Sequence, residues 1–90
     1  MDEPPRDELV LQILRYVVAN PTAKDTVHGI EKWWLSKSLS SEARTKMEQH
    51  LNVLVAKGWL IGRRSPQSEM IYSLNANGLA EINEFLARGH

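Results

Sequence analysis

Read for the alternation of apolar and polar positions, the chain divides into helical stretches and one short pair of strands. Over 6–19 the apolar residues Leu9, Val10, Ile13, Leu14 and Val17 recur at helical offsets and form a wide stripe. Leu11 and Val18 lie about a third of a turn outside that stripe, so only Gln12 and Arg15 leave a clearly polar edge. A helix apolar nearly all round predicts the central element of the fold, with Leu11 and Val18 covered by the N-terminal segment, by the last helix or by a second subunit.

Pro21 ends this helix, because proline disfavours helix in the residue before it and has no backbone donor of its own. Asp25 then reads as the cap of a second helix, TVHGIEKWWL, in which Val27, Ile30 and Trp34 share a face. Trp33 and Trp34 are adjacent and cannot both occupy the centre of that face, so one is expected to anchor the core and the other to stay partly exposed. The serine-rich SKSLSS is a connector, with Leu39 plugging into the core and Ser40 or Ser41 capping a third helix over 41–57. There Ala43, Met47, Leu51, Leu54 and Val55 take one side, and Gly58 supplies a left-handed stop. Two strands follow, at 59–64 and 69–74, joined by SPQS. A fourth helix carries Leu79, Ile82, Phe85 and Leu86 inward, with Asn75 or Asn77 as its cap.

Composition narrows what this arrangement is expected to do. Ninety residues make one domain, expected at 6–88 behind a flexible 1–5, and 42% hydrophobic residues are enough for a core without staples. The absence of cysteine excludes disulfides, thiolate metal sites and a cysteine nucleophile, and makes the reducing cytoplasm the natural compartment. MDEPPRDE is acidic, the reverse of a signal peptide, and no apolar run approaches the roughly 20 residues that span a bilayer, so no membrane partner is expected. His28, His50 and His90 lack metal-ligand spacing, no serine sits in a nucleophile elbow and no glycine-rich phosphate loop precedes a helix. Neither a metal, a cofactor nor enzymatic chemistry is therefore expected.

The order of elements, together with LVAKGWLIGR and YSLNANGLAEI, resembles the winged helix-turn-helix of MarR- and PadR-type bacterial regulators over residues 9–86. In that family the strand after the wing commonly ends in Tyr-x-Leu-Thr; Tyr72, Leu74 and Asn75 occupy those places here, and asparagine caps a helix as threonine does. The block NPTAKDTVHGIEKWWL departs from those regulators and is similar to a group of small uncharacterised bacterial winged-helix proteins. The resemblance implies a mainly α fold with a small β-hairpin (α+β): a three-helix core, a two-stranded wing and a C-terminal helix. It also implies a DNA-binding, regulator-like module whose third helix enters the major groove while the wing meets the backbone. MarR-type regulators dimerise through extra terminal helices that ninety residues hardly accommodate, so a monomer or weak homodimer is expected.

The formal net charge is zero, which argues against a nucleic-acid partner until its distribution is read. Residues 1–31 carry net −3 and residues 65–90 net −2, whereas residues 32–64 hold seven basic and two acidic side chains, net +5. Within that basic segment Lys37, Arg44, Lys46, Arg63 and Arg64 are the candidates for phosphate contact. Ser41, Thr45, Gln49 and Asn52 lie opposite the apolar stripe of the third helix and are the candidates for base contact, since Gln and Asn form paired bonds with adenine. The same four residues equally suit a solvated helix face, the arginine pair equally suits a charged strand edge, and Glu42 and Glu48 oppose phosphate. The alternative from another class is a protein-protein interaction adaptor of the same fold without DNA binding. It would use the exposed member of Trp33 and Trp34, or the Leu11 and Val18 edge.

Overall fold

Asp7 begins the first helix: its carboxylate accepts the Leu9 N–H at 2.8 Å and caps α1, Glu8–Ala19. The computed structural model describes residues 4–35 and 38–88. Val10, Ile13, Leu14 and Val17 of α1 are fully buried, while Leu11 and Val18 are half-buried against the same core. Burial of a stripe this wide is what makes α1 the helix on which the others pack. Ahead of it Pro4 is buried, and Arg6 reaches the last helix, α4 (Leu79–Ala87), donating to the Phe85 carbonyl at 2.6 Å with its guanidinium 4.0 Å above the Phe85 ring.

The turn after α1 contains a strand that the sequence pattern does not predict. β1, Lys24–Asp25, is too short to display an alternation, yet it pairs antiparallel with a later strand. Asp25 consequently does not cap the second helix. Its carboxylate accepts the Trp34 indole N–H at 2.7 Å, and Thr26 is the cap, its hydroxyl accepting the Gly29 N–H at 3.2 Å. The second helix is also not a plain α-helix. A single α-turn, α2 at Val27–Gly29, runs directly into a π-helical segment, Ile30–Trp34, closed by Leu35 N–H donating to the Ile30 carbonyl at 3.1 Å. The wider winding seats both Trp34 and Leu35, along with Ile30 and Glu31, on the inner side.

α3, Ser41–Lys57, starts at Ser40, whose hydroxyl accepts the Ala43 N–H at 3.1 Å. Its inner row is Met47, Leu51 and Leu54, all fully buried; Ala43 and Val55, also expected inside, are half-buried on the flanks. Gly58, at φ 85°, closes the helix, with its own N–H on the Val55 carbonyl and the Trp59 N–H on that of Leu54. That left-handed turn is cheap only for glycine. Between the cap of α1 and α3, His50 brings Nε2 to 3.7 Å from Asp7 Oδ2, and this buried nitrogen has no hydrogen-bond partner among the described residues.

Beyond Gly58 the sheet is completed by β2, Leu60–Arg64, and β3, Met70–Leu74, in the antiparallel order β1-β3-β2. Leu60 pairs with Leu74, Gly62 with Tyr72 and Arg64 with Met70. Trp59, expected in the strand, instead precedes it and is 2% exposed, its indole N–H donating to Glu81 at 2.7 Å and its ring edge-on to Phe85. The hairpin turn is built on Ser65, whose hydroxyl accepts the N–H groups of Gln67 and Glu69, and on Ser68 at φ 68°. Asn75 caps a 3-10 turn, Ala76–Gly78, rather than α4 itself, which spans Leu79–Ala87 and buries Ile82 and Phe85. Gly78 is needed at that junction: a Cβ there would stand 2.8 Å from the Gly58 carbonyl oxygen and 3.0 Å from Trp59 Cα.

Among the described residues the result is an α+β fold of four helices and a three-stranded antiparallel sheet, mostly helical. Among the described residues no helix is long and apolar enough to cross a membrane, and no group of three or more His, Asp or Glu side chains gathers as a metal site would require.

Candidate nucleic-acid interface

Because Met47, Leu51 and Leu54 hold one face of α3 in the core, the opposite face is presented to solvent, and Ser41, Thr45, Gln49 and Asn52 are all exposed on it. Thr45 turns its hydroxyl back to the Ser41 carbonyl at 3.1 Å. The side chains of Ser41, Gln49 and Asn52 make no hydrogen bond among the described residues. Lys46 is exposed beside them. In the hairpin, Arg63 and Arg64 are both exposed on successive positions of β2 and so leave from opposite faces of the strand. Arg64 folds back and donates to the Ser68 carbonyl at 2.9 Å, whereas Arg63 makes no hydrogen bond or ion pair among the described residues.

Arg44 is engaged elsewhere. Its Nε donates to Glu31 Oε1 at 2.8 Å and its Nη2 to Glu31 Oε2 at 3.0 Å, a fork on a carboxylate whose residue is only 8% exposed. The Leu39 N–H also reaches Glu31 Oε2, at 2.9 Å, and Arg44 Nη2 approaches the Leu39 carbonyl at 3.4 Å. The Arg44 hydrogen bonds and then the Leu39 N–H hold the Glu31 carboxyl at about 2, below the ordinary 4.5, against the opposing effect of burial. The same bonds push the Arg44 guanidinium upward. Three pieces of chain, the π-helical segment, the connector and the start of α3, are thus tied at one point.

The other sequence candidates fall in different places. Trp34 is buried at 4% and stacked on Tyr16 with ring centroids 5.1 Å apart, while Trp33 is 60% exposed with Lys32 Nζ 5.2 Å from its ring centre. Leu11 and Val18 pack partly against the core, well separated in role from the polar face of α3. Lys37 lies outside the described residues. Of the basic segment's cations, Arg44 is committed to Glu31, Arg64 is bent onto its own turn, and Lys57 lies 5.6 Å from the Trp59 ring, leaving Lys46 and Arg63 as the ones on the candidate surface that engage nothing among the described residues.

Glu31 is the residue that sequence reasoning missed. It sits between Ile30 and the core-facing Trp34 and Leu35, so a carboxylate beside buried positions was a signal for an ion pair. Nothing local selects Arg44 over Lys37 or Lys46 as its partner. Comparison with protein-family models, with curated proteins and with solved structures returns no match.

Proposed function

We propose that the chain is a winged-helix module that binds DNA in a regulator-like, cytoplasmic role, as a monomer or weak homodimer, with α3 in the major groove and the β2–β3 hairpin as a wing on the backbone. The observation that carries the reading is the row of polar side chains on α3, Ser41, Gln49 and Asn52, opposite its buried row and accompanied by the cations Lys46 and Arg63, all without a partner among the described residues. A helix face of amides and hydroxyls with cations at its margin suits base edges flanked by phosphates. With few free cations and no net charge, binding belongs at the weak end of the non-specific range, about 10⁻⁴ M at physiological salt. Titrating the ¹⁵N-labelled protein with a mixed-sequence duplex at low salt tests it. Resonances of residues 41–52 and 62–66 are expected to move; if both segments stay still, the reading fails.

Trp33 favours a second reading, a protein-interaction adaptor without DNA binding. At 60% exposure it is a large aromatic surface left uncovered, the type of side chain that anchors protein interfaces. That reading takes the lead if the duplex leaves both segments unmoved.

A further inference from the structure

The space between α2, α3 and β3 takes no part in the DNA reading. It is a groove of ≈ 550 Å³, in the range of about 300–1,000 Å³ typical of small-molecule sites. Val27, Met70 and Tyr72 give it apolar walls, and Glu48 of α3 and Glu69 at the foot of β3 give it two carboxylates. The one arginine in its lining, Arg44, is already forked onto Glu31, and its charge reaches Glu48 only through space, four residues along the helix. Arg64, across the strand from Met70, is turned to the Ser68 carbonyl. Neither Glu48 nor Glu69 forms an ion pair among the described residues. With His28, the other basic side chain in the lining, counted as neutral, the groove carries more carboxylate charge than free cationic charge.

The same groove has a further polar group in its wall. Tyr72 lines it, is only 4% exposed, and its hydroxyl makes no hydrogen bond among the described residues. The oxygen itself keeps access to the groove, since the enclosed polar atom without a partner among the described residues is His50 Nε2, and the hydroxyl is free to bond what enters. Burial, and then the negative charge of Glu48, raise the phenol above its ordinary value, so it stays protonated and offers both a lone pair and a proton.

We propose that this groove binds a small organic cation, a primary ammonium on a short apolar body, with the body against Val27, Met70 and Tyr72 and the ammonium between Glu48 and Glu69. The Tyr72 hydroxyl accepts one of the ammonium N–H bonds. An anion is repelled by the two carboxylates, and a neutral apolar molecule gains nothing from them. The site does not depend on the DNA reading, and a failed duplex titration leaves it standing.

The test uses phenethylammonium chloride, with 2-phenylethanol as its neutral counterpart, titrated into the ¹⁵N-labelled chain at constant ionic strength. The ammonium is expected to move the resonances of Val27, Glu48, Glu69, Met70 and Tyr72 with a Kd of about 0.1–10 mM, as befits a ligand of this size. The alcohol should bind roughly tenfold more weakly, because it brings no positive charge to the two carboxylates. Glu48→Gln and Glu69→Gln, both at exposed positions, should each weaken the ammonium by about 3–10-fold and leave the alcohol unchanged. Tyr72→Phe, which keeps the ring, should weaken it by about 3-fold or more. Four results each overturn the proposal: no movement at about 50 mM ammonium, equal affinity for ammonium and alcohol, movement confined to residues outside the groove, or undiminished ammonium affinity in both glutamine variants.

Discussion

Arg44 and Arg63 belong to one basic stretch of sequence and end in opposite situations. Arg44 meets the buried carboxylate of Glu31 and, through it, the Leu39 backbone, so its charge goes into joining the π-helical segment to α3. Arg63 stands on the hairpin with Ile71 across the strand and no ion pair among the described residues. A cation's availability to a partner is decided by which carboxylate the fold delivers to it, and Glu31 is delivered by the π turn from a segment whose sequence charge is acidic. The junction is cross-linked at three points of chain, whereas the hairpin tip is held by its own short turn bonds around Ser65. One region is tied into the fold, and the other carries a cation that makes no ion pair among the described residues.

The largest expected effect tests what both regions stand on. Leu54→Ala, in the fully buried row beneath α3, is expected to cost about 2–5 kcal/mol through lost transfer energy and the cavity left behind. Denaturant unfolding checks it; a loss below about 1 kcal/mol would mean that α3 is not bedded as described.

Next comes the junction itself. Glu31→Ala should lower Tm more than Arg63→Ala and Arg64→Ala combined, since it leaves Arg44 and the Leu39 N–H without their acceptor. The contrast also has a pH signature. The folded Glu31 carboxyl, at about 2, lies below its ordinary 4.5, so the unfolded chain binds the proton more readily. The stabilisation from this group is therefore complete above about 4.5 and is lost as pH falls towards about 2. Wild type should show an acid-side slope of up to about one extra proton compared with Glu31→Gln, and identical slopes would break the comparison.

At the hairpin the expected stability change is small, within about 0.5 kcal/mol for the double change of Arg63 and Arg64 to alanine. If the two contact phosphate, the same variant should flatten the log–log salt dependence of duplex binding by roughly 2 units and weaken all sequences alike. Arg44→Lys, by contrast, should leave that salt dependence nearly unchanged while lowering Tm, because a lysine cannot reproduce the fork. The smallest effect is at Gln49 or Asn52: alanine there should leave stability within about 0.5 kcal/mol and alter only the preference among duplex sequences.

Much of the scaffold was legible because it is written locally. The stripe of α1 repeats over enough turns to be unmistakable, and Ser40 and Gly58 act on backbone groups within one turn of themselves, so the limits of α3 follow from residue chemistry. The hairpin strands came out nearly at their observed bounds, and the two tryptophans divided into a buried Trp34 and an exposed Trp33 as adjacency on a helix requires. The candidate base-facing row was legible for the same reason: once the buried side of α3 is known, helical geometry names the opposite side. β1 was not legible, since two residues display no period and pair only because β3 lies beside them. Nor was the role of Asp25, equally suited by type to cap a helix or to accept an indole proton, until strand pairing turned it towards Trp34.

What the sequence determined by itself, then, is the order of the long helices and the hairpin strands, the inner face of each long helix and the polar character of the outer face of α3. Each rests on interactions that reach one helical turn or one strand pair. The tertiary structure alone decided that Arg44 is bound while Arg63 is free, that Glu31 is the hub of the junction, and that Glu48, Glu69 and Tyr72 meet around one groove. Charge pairing and concavity depend on distances between residues far apart in the chain, and those distances exist only after the helices and the sheet have packed.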